Sequence, residues 1–210
     1  MNKPIWVTFD QGVDVVIREA TMQGVRKVIQ LARKRNPVEN MGEWYAHAGS
    51  FGSIKWYIKE TFDYNRKQIR ADKLLNLFQQ EPWQEDIPHY DIQITSWDLT
   101  CANPDGNSLL NFCLGCTRPG LGIVLSGFRF KSFNTIIQKE LMITLTMHEV
   151  AHMFGLISRN FEVTRELGMH CVNNGCLMRQ GMKTEDWLRM TDDRLSGVEF
   201  CQTCLRELRD

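Results

Sequence analysis

An α+β fold of α/β-like character, a mixed twisted sheet with backing helices, is what this 210-residue sequence predicts, and three stretches predict it. IWVTF, Ile5 to Phe9, is an apolar β-rich run closed by Asp10, Gln11 and Gly12, and apolar residues at helical spacing follow it. YDIQITSWDL, Tyr90 to Leu99, alternates apolar and polar side chains as a half-buried strand does. From Thr135 to Gly155, Ile136, Ile137, Leu141, Ile143, Leu145, Val150 and Phe154 supply the broad apolar face of a long helix.

The elements follow in order. After the first strand, Val15, Val16, Ile17, Val25, Val28, Ile29 and Leu31 predict a helix reaching to about Lys34. Residues 36–63 mix glycines with aromatics, and IKWYI reads as a strand or as a buried helix turn. Arg66 to Gln79 places Ile69, Leu74, Leu75 and Phe78 on one stripe, which predicts an amphipathic helix. NPDG at 103–106 reads as a turn, and LLNFCLG and GIVLS read as two strands around the turn TRPG. Gly155 is suited to cap the long helix. Beyond it the chain is rich in turns and cysteines as far as a last helix, CLRELRD.

Composition excludes several functions. Lys plus Arg and Asp plus Glu number 25 each, so the formal net charge is zero and no long-range field gathers nucleic acid or anionic membrane. Asp10 and Asp14 interrupt the N-terminus before an apolar signal region develops, and nowhere do enough uncharged apolar residues run together to span a bilayer. Seven cysteines, an odd number without a secretory signal, suit a reducing cytoplasm with metal-bound thiolates better than a disulfide framework. The oligomeric state is not written in the sequence.

HEVAH, His148 to His152, carries the chemistry. Positions i and i+4 share a helix face, so both imidazoles can reach one zinc ion while Glu149 lies beside it. Zinc held by three protein ligands lowers the pKa of its bound water from about 15.7 to about 7, and Glu149 would serve as general base and then acid. Alone, HExxH fixes three positions and also occurs in ordinary helices. The tail adds a second set: Cys171 and Cys176, then Cys201 and Cys204, two closely spaced pairs of the kind a closed tetrahedral zinc requires.

These residues resemble the archaemetzincin family, zinc metallopeptidases of the metzincin clan, whose signature looks like HExxHxxGxxHC, Cx4C, CxM and a later CxxC. His148, Glu149, His152, Gly155, His170, Cys171, Cys176, Met178, Cys201 and Cys204 match it. DLT at 98–100, LLNFCLG and GIVLS also look like the family's strands, whereas the first 90 residues match only in general style. The resemblance implies a metzincin-like fold and two zincs per chain, one catalytic and one structural. It divides the chain into an N-terminal subdomain, 1–155, with the active-site helix, and a C-terminal subdomain, 156–210, with the third ligand, the Met-turn and the structural zinc. It also implies a peptide or protein substrate that adds as a strand at GIVLS, the upper rim of the cleft.

One departure is large. Where the family has its third histidine three residues after the glycine, this chain has Ser158, and ISRNFEVTRELG separates Gly155 and Leu156 from Met169-His170-Cys171. We expect His170 to be the displaced third ligand, its neighbour Cys171 being fixed by the structural zinc; Glu162 and Glu166 are the rivals. Met178 reads as core filler from its chemistry and as the Met-turn from the resemblance.

The remaining candidates have plain readings. Cys113 and Cys116 form a further CxxC near Cys101, but a strand-like segment does not activate thiols as a helix N-terminus does, so these read as buried or incidental. His47 and His89 have no metal-like partner spacing and read as structural or surface residues, and Trp44, Tyr45, Trp56 and Tyr57 as packing groups. The function expected is a cytoplasmic zinc metallopeptidase. Its rivals are an inactive zinc-stabilised interaction protein on the same scaffold and, against the charge balance, a zinc-ribbon nucleic-acid binder.

Overall fold

A computed structural model describes residues 2–43, 54–103, 108–156, 163–164 and 168–210. Five strands form the main sheet in the order β2-β1-β5-β8-β7, where β1 is Ile5–Phe9, β2 Val38–Gly42, β5 Tyr90–Thr95, β7 Gly115–Arg118 and β8 Gly122–Ser126. The first four are parallel, and β7 runs antiparallel to β8 along one edge. β5 and β8 are buried nearly throughout, because helices cover both faces.

The two faces are read directly from β8. Ile123 and Leu125 join the main core, with helices α1 (Val15–Leu31) and α5 (Thr135–Met153); Val124 points the other way, into a smaller core with Tyr57, Leu74, Leu75 and Phe78. That second face belongs to α2 (Ile54–Thr61) and α3 (Ala71–Gln79). Gly24 lets α1 approach α5 closely, since a Cβ there would stand 2.8 Å from Thr146 Cβ. A small sheet of β3 (Phe62–Asp63), β4 (Gln68–Arg70) and β6 (Leu99–Thr100) flanks the main one, and α4 (Pro82–Asp86) precedes β5.

Several boundaries differ from the sequence pattern, each for a tertiary reason. The helix expected over Arg66–Gln79 begins only at Ala71, because Ile69 and Arg70 pair with Leu99 and Thr100, Gln68 pairs with Asp63, and the Gln68 amide donates to Asp98 at 2.9 Å. IKWYI lies in α2. Of LLNFCLG, Leu109 and Cys113 make single bridges and the strand itself starts at Gly115. Tyr90–Leu99 is broken after Thr95, where the Asp10 carboxylate accepts from Ser96 Oγ at 3.1 Å and Arg129 clamps Asp98 with two hydrogen bonds. NPDG falls largely outside the described residues.

The tail holds a helix that the sequence reading lacks, α6 (Thr184–Leu195), before α7 (Gln202–Arg209). Its Trp187 and Met190, with Cys171, Cys176, Leu177, Met178, Cys204 and Leu208, pack into the same core as β1 and α5. Of the segment between Leu156 and His170, Val163–Thr164 (β9) and Gly168–Met169 (β10) form an antiparallel pair; Glu162, Glu166 and His47 lie outside the described residues. Among the described residues, no helix is long and apolar enough to cross a membrane.

Helix α5 ends as Gly155 requires. Asn134 caps its start by accepting from the Ile137 N–H at 3.0 Å. At its end, Gly155 adopts φ +82°, with Leu156 N–H donating to Ala151 at 3.0 Å and Gly155 N–H to His152 at 2.9 Å, a complete Schellman closure. A Cβ at Gly155 meets no atom within 4 Å, so Gly155→Ala is strained by its backbone alone. We expect it to cost about 1 kcal/mol, read as a fall of about 2–4 °C in Tm.

Candidate metal centre

Two parts of the chain bring the three imidazoles together. His148 and His152 are one turn apart on α5, and His170 arrives from the chain just after β10, its ring centroid 5.2 Å from His148 and 5.1 Å from His152. One ring nitrogen from each lies within 4.8 Å of the others. The structure thus brings His170 beside the two histidines of α5.

The hydrogen bonds fix the tautomers. His148 Nδ1 is 2.8 Å from the Leu177 carbonyl and must donate to it, and His152 is likewise bonded to the Leu156 backbone. Burial, then the neighbouring histidines, holds His148 well below the ordinary histidine pKa; burial and then His170 bring His152 down to about 3. Both rings are neutral at pH 7, and their Nε2 lone pairs face each other at 3.2 Å. Two such lone pairs repel unless a cation lies between them. Tetrahedral zinc at about 2.0–2.1 Å from each nitrogen sets neighbouring nitrogens about 3.3 Å apart, so the donor set fits zinc.

Glu149 completes the arrangement. Its carboxylate is buried and accepts a hydrogen bond from the Thr117 hydroxyl of β7. Burial raises its pKa to about 7, the Thr117 bond opposing that rise. Gly115, also on β7, leaves the room this carboxylate occupies, since a Cβ there would stand 2.6 Å from Glu149 Oε1. Gly115→Ala should therefore displace the carboxylate while leaving the histidines in place. The expected result is a zinc content unchanged from the wild type, measured by metal analysis, with the pKa of the Glu149 carboxyl moved away from about 7.

The four tail cysteines form the second group. The thiols of Cys171, Cys176, Cys201 and Cys204 converge within 4.8 Å, Cys171 and Cys201 standing 3.8 Å apart. Zinc–sulfur bonds of about 2.3 Å in a tetrahedron place sulfurs about 3.8 Å apart. Backbone N–H groups of Asn173 and Cys201 donate to Cys171 Sγ at 3.4 Å and to Cys176 Sγ at 3.3 Å. Cys176 is lowered to about 5, chiefly by its bond from Cys204, while Cys171 is pushed up to about 12 by burial and Cys204 is raised by the bond to Cys176. Four thiolates cannot coexist there without a cation, so this set too fits zinc.

A third group, Glu81, His89 and Asp91, lies buried beside the start of β5. His89 is not a surface residue: it is fully buried, stacked on Trp6 at 3.7 Å and 3.2 Å from Asp91 Oδ1. The Gln84 amide donates to Asp91 at 2.5 Å and stands 3.2 Å from His89 Nε2.

The imidazoles and Glu149 line a cavity of about 600 Å³. Its rim corrects the sequence reading. GIVLS is β8, hydrogen-bonded to β5 on one side and β7 on the other, whereas β7, Gly115–Arg118, is the edge strand, and Gly115, Cys116 and Thr117 line the cavity. Trp187 was also missed: it lines the cavity and packs edge-on to His148 at 5.2 Å. Its signal was the spacing of Trp187, Met190 and Thr191 along α6. Met178 is buried in the core beneath this region of the tail, and its carbonyl accepts from the Cys171 N–H at 2.7 Å.

No protein-family model matches the sequence, and no curated protein matches it either. A solved structure does. The crystal structure of archaemetzincin from Methanopyrus kandleri superposes with a TM-score of 0.68, covering 99% of this chain and 94% of the other at 19% identity. The chain has the archaemetzincin fold. That likeness takes in the N-terminal third, where the sequence agrees only in style, so the sheet and helices of the archaemetzincin fold are kept where the residues are not.

Proposed function

We propose that this chain is a zinc metallopeptidase, with Glu149 as general base and acid and His148, His152 and His170 as ligands of the catalytic metal. What carries the reading is one observation: three imidazoles and a buried carboxylate with a pKa near 7 open into the same cavity, beside the edge strand β7. A zinc ion held by the three rings supplies Lewis-acid polarisation and a water acidic enough to lose its proton near neutral pH.

The chain's own residues do the rest. Thr117 holds one Glu149 oxygen, which leaves the other to take the proton of the attacking water and return it to the leaving amine. The Leu177 and Leu156 carbonyls keep the His148 and His152 lone pairs aimed at the centre. An extended substrate lies along β7, pairing with its backbone as a further strand and bringing its scissile carbonyl over the histidines. Glu149 is the single carboxylate among the described lining residues, so the subsites favour uncharged side chains. Cys171, Cys176, Cys201 and Cys204 hold a second, structural zinc.

Cleavage of a peptide library by the wild type and by Glu149→Ala tests this reading. We expect cleavage by the wild type, a loss of roughly 10²–10⁴-fold in the mutant, and two zincs per chain in both. Two zincs with no cleavage by either would instead identify a non-catalytic scaffold.

A further inference from the structure

Three cysteines that the metal chemistry leaves unused meet in the wall of the same cavity. Cys101 follows β6, Cys113 is bridged to Leu99 with its N–H on the Leu99 carbonyl at 2.9 Å, and Cys116 sits in β7 opposite Val124. Two stretches of the chain thus deliver three free thiols to a surface that Glu149 also lines. Cys101 is central: Cys113 and Cys116 both hydrogen-bond to its sulfur. Unlike the tail thiols, these do not converge as a metal-ligand group among the described residues.

We propose that Cys101, Cys113 and Cys116 form a site of reversible oxidation, in which Cys101 reacts with a hydroperoxide and either neighbour resolves it as a disulfide. The Cys101 thiolate attacks one peroxide oxygen; the O–O bond breaks, sulfur becomes sulfenic acid and the other oxygen leaves as hydroxide or alkoxide. The Cys113 or Cys116 thiol then attacks that sulfur, and the hydroxyl departs with the thiol proton as water. Two thiols and one hydroperoxide give one disulfide, one water and one alcohol or second water. The microenvironment agrees with these roles: the bonds from Cys113 and Cys116 hold Cys101 down to about 4, and the same bonds, then burial, push both partners up. The cavity admits a small peroxide to sulfurs that a protein-sized oxidant does not reach.

A bridge from Cys101 to either partner draws the cavity wall together beside Glu149. That consequence for cleavage rests on the peptidase reading; the existence of the site does not.

The experiment uses the zinc-loaded full chain, treated with hydrogen peroxide, alkylated, and read by intact mass and disulfide mapping. We expect two of the three cavity thiols to be lost, in bridges Cys101–Cys113 and Cys101–Cys116, and regained on reduction. Cys113→Ser keeps the bridge to Cys116, Cys116→Ser keeps the bridge to Cys113, and Cys101→Ser has neither, with circular dichroism checking that each variant folds. A Cys113–Cys116 bridge in Cys101→Ser, or a wild type whose cavity thiols all remain alkylatable, overturns the proposal. Peptide cleavage by the reduced wild type is measured in parallel: its absence counts against the peptidase, and absence of the bridges counts against the oxidation site.

Discussion

Cys204→Ser is expected to release both metals, although Cys204 belongs to only one group. Cys204 is fully buried among the four thiols. The loop those thiols hold, Cys171 to Met178, is closed on itself by Cys171 N–H to Met178 at 2.7 Å and tied down by Leu177 N–H to Glu199 at 2.7 Å. His170 directly precedes that loop, and Leu177 within it supplies the carbonyl that orients His148. Structural zinc contributes about 10–16 kcal/mol of apparent binding in small domains, so losing a thiolate there frees the loop and both supports of the histidine centre. Metal analysis should find a zinc-to-protein ratio falling from two towards zero, with cleavage lost. A ratio of one with cleavage retained would show that the histidine centre stands without the cysteines.

His170→Ala gives the second large effect and separates ligand from support. Removing a hydrogen bond to a ligating histidine typically costs 10–100-fold in metal affinity. Removing a ligand leaves His148 and His152 to hold the ion alone, so the loss should exceed roughly 100-fold, while the four thiols keep their zinc. Competition with a chelator reads this as one zinc that leaves readily and one that does not. Full occupancy in His170→Ala would return the third position to Glu162 or Glu166.

What could be read in advance followed from locality. His148, Glu149 and His152 share a helix face because an α-helix repeats every 3.6 residues, and that geometry is fixed by spacing alone. The cysteine pairs announced themselves in the same way, and His170 became legible through its neighbour Cys171 despite the long separation from Gly155. What could not be read depends on partners distant in the chain. Gln68–Arg70 carry helical periodicity yet form a strand because Leu99 and Thr100 lie alongside, and α6 hides among turn-forming residues until Trp187 finds His148. The contact of Thr117 with Glu149, and the choice of β7 as the free edge, come from strand order, which no local pattern encodes. For the same reason Cys101, Cys113 and Cys116 looked incidental until the fold set them side by side.

X-ray absorption at the zinc edge, on the purified full chain and on His170→Ala for subtraction of the four-sulfur site, addresses the central claim most directly. The account predicts a site with three nitrogen ligands at about 2.0–2.1 Å and one light-atom ligand from water, together with a site of four sulfurs at about 2.3 Å. A histidine site with only two nitrogens, or one completed by a protein carboxylate or a sulfur, would contradict it.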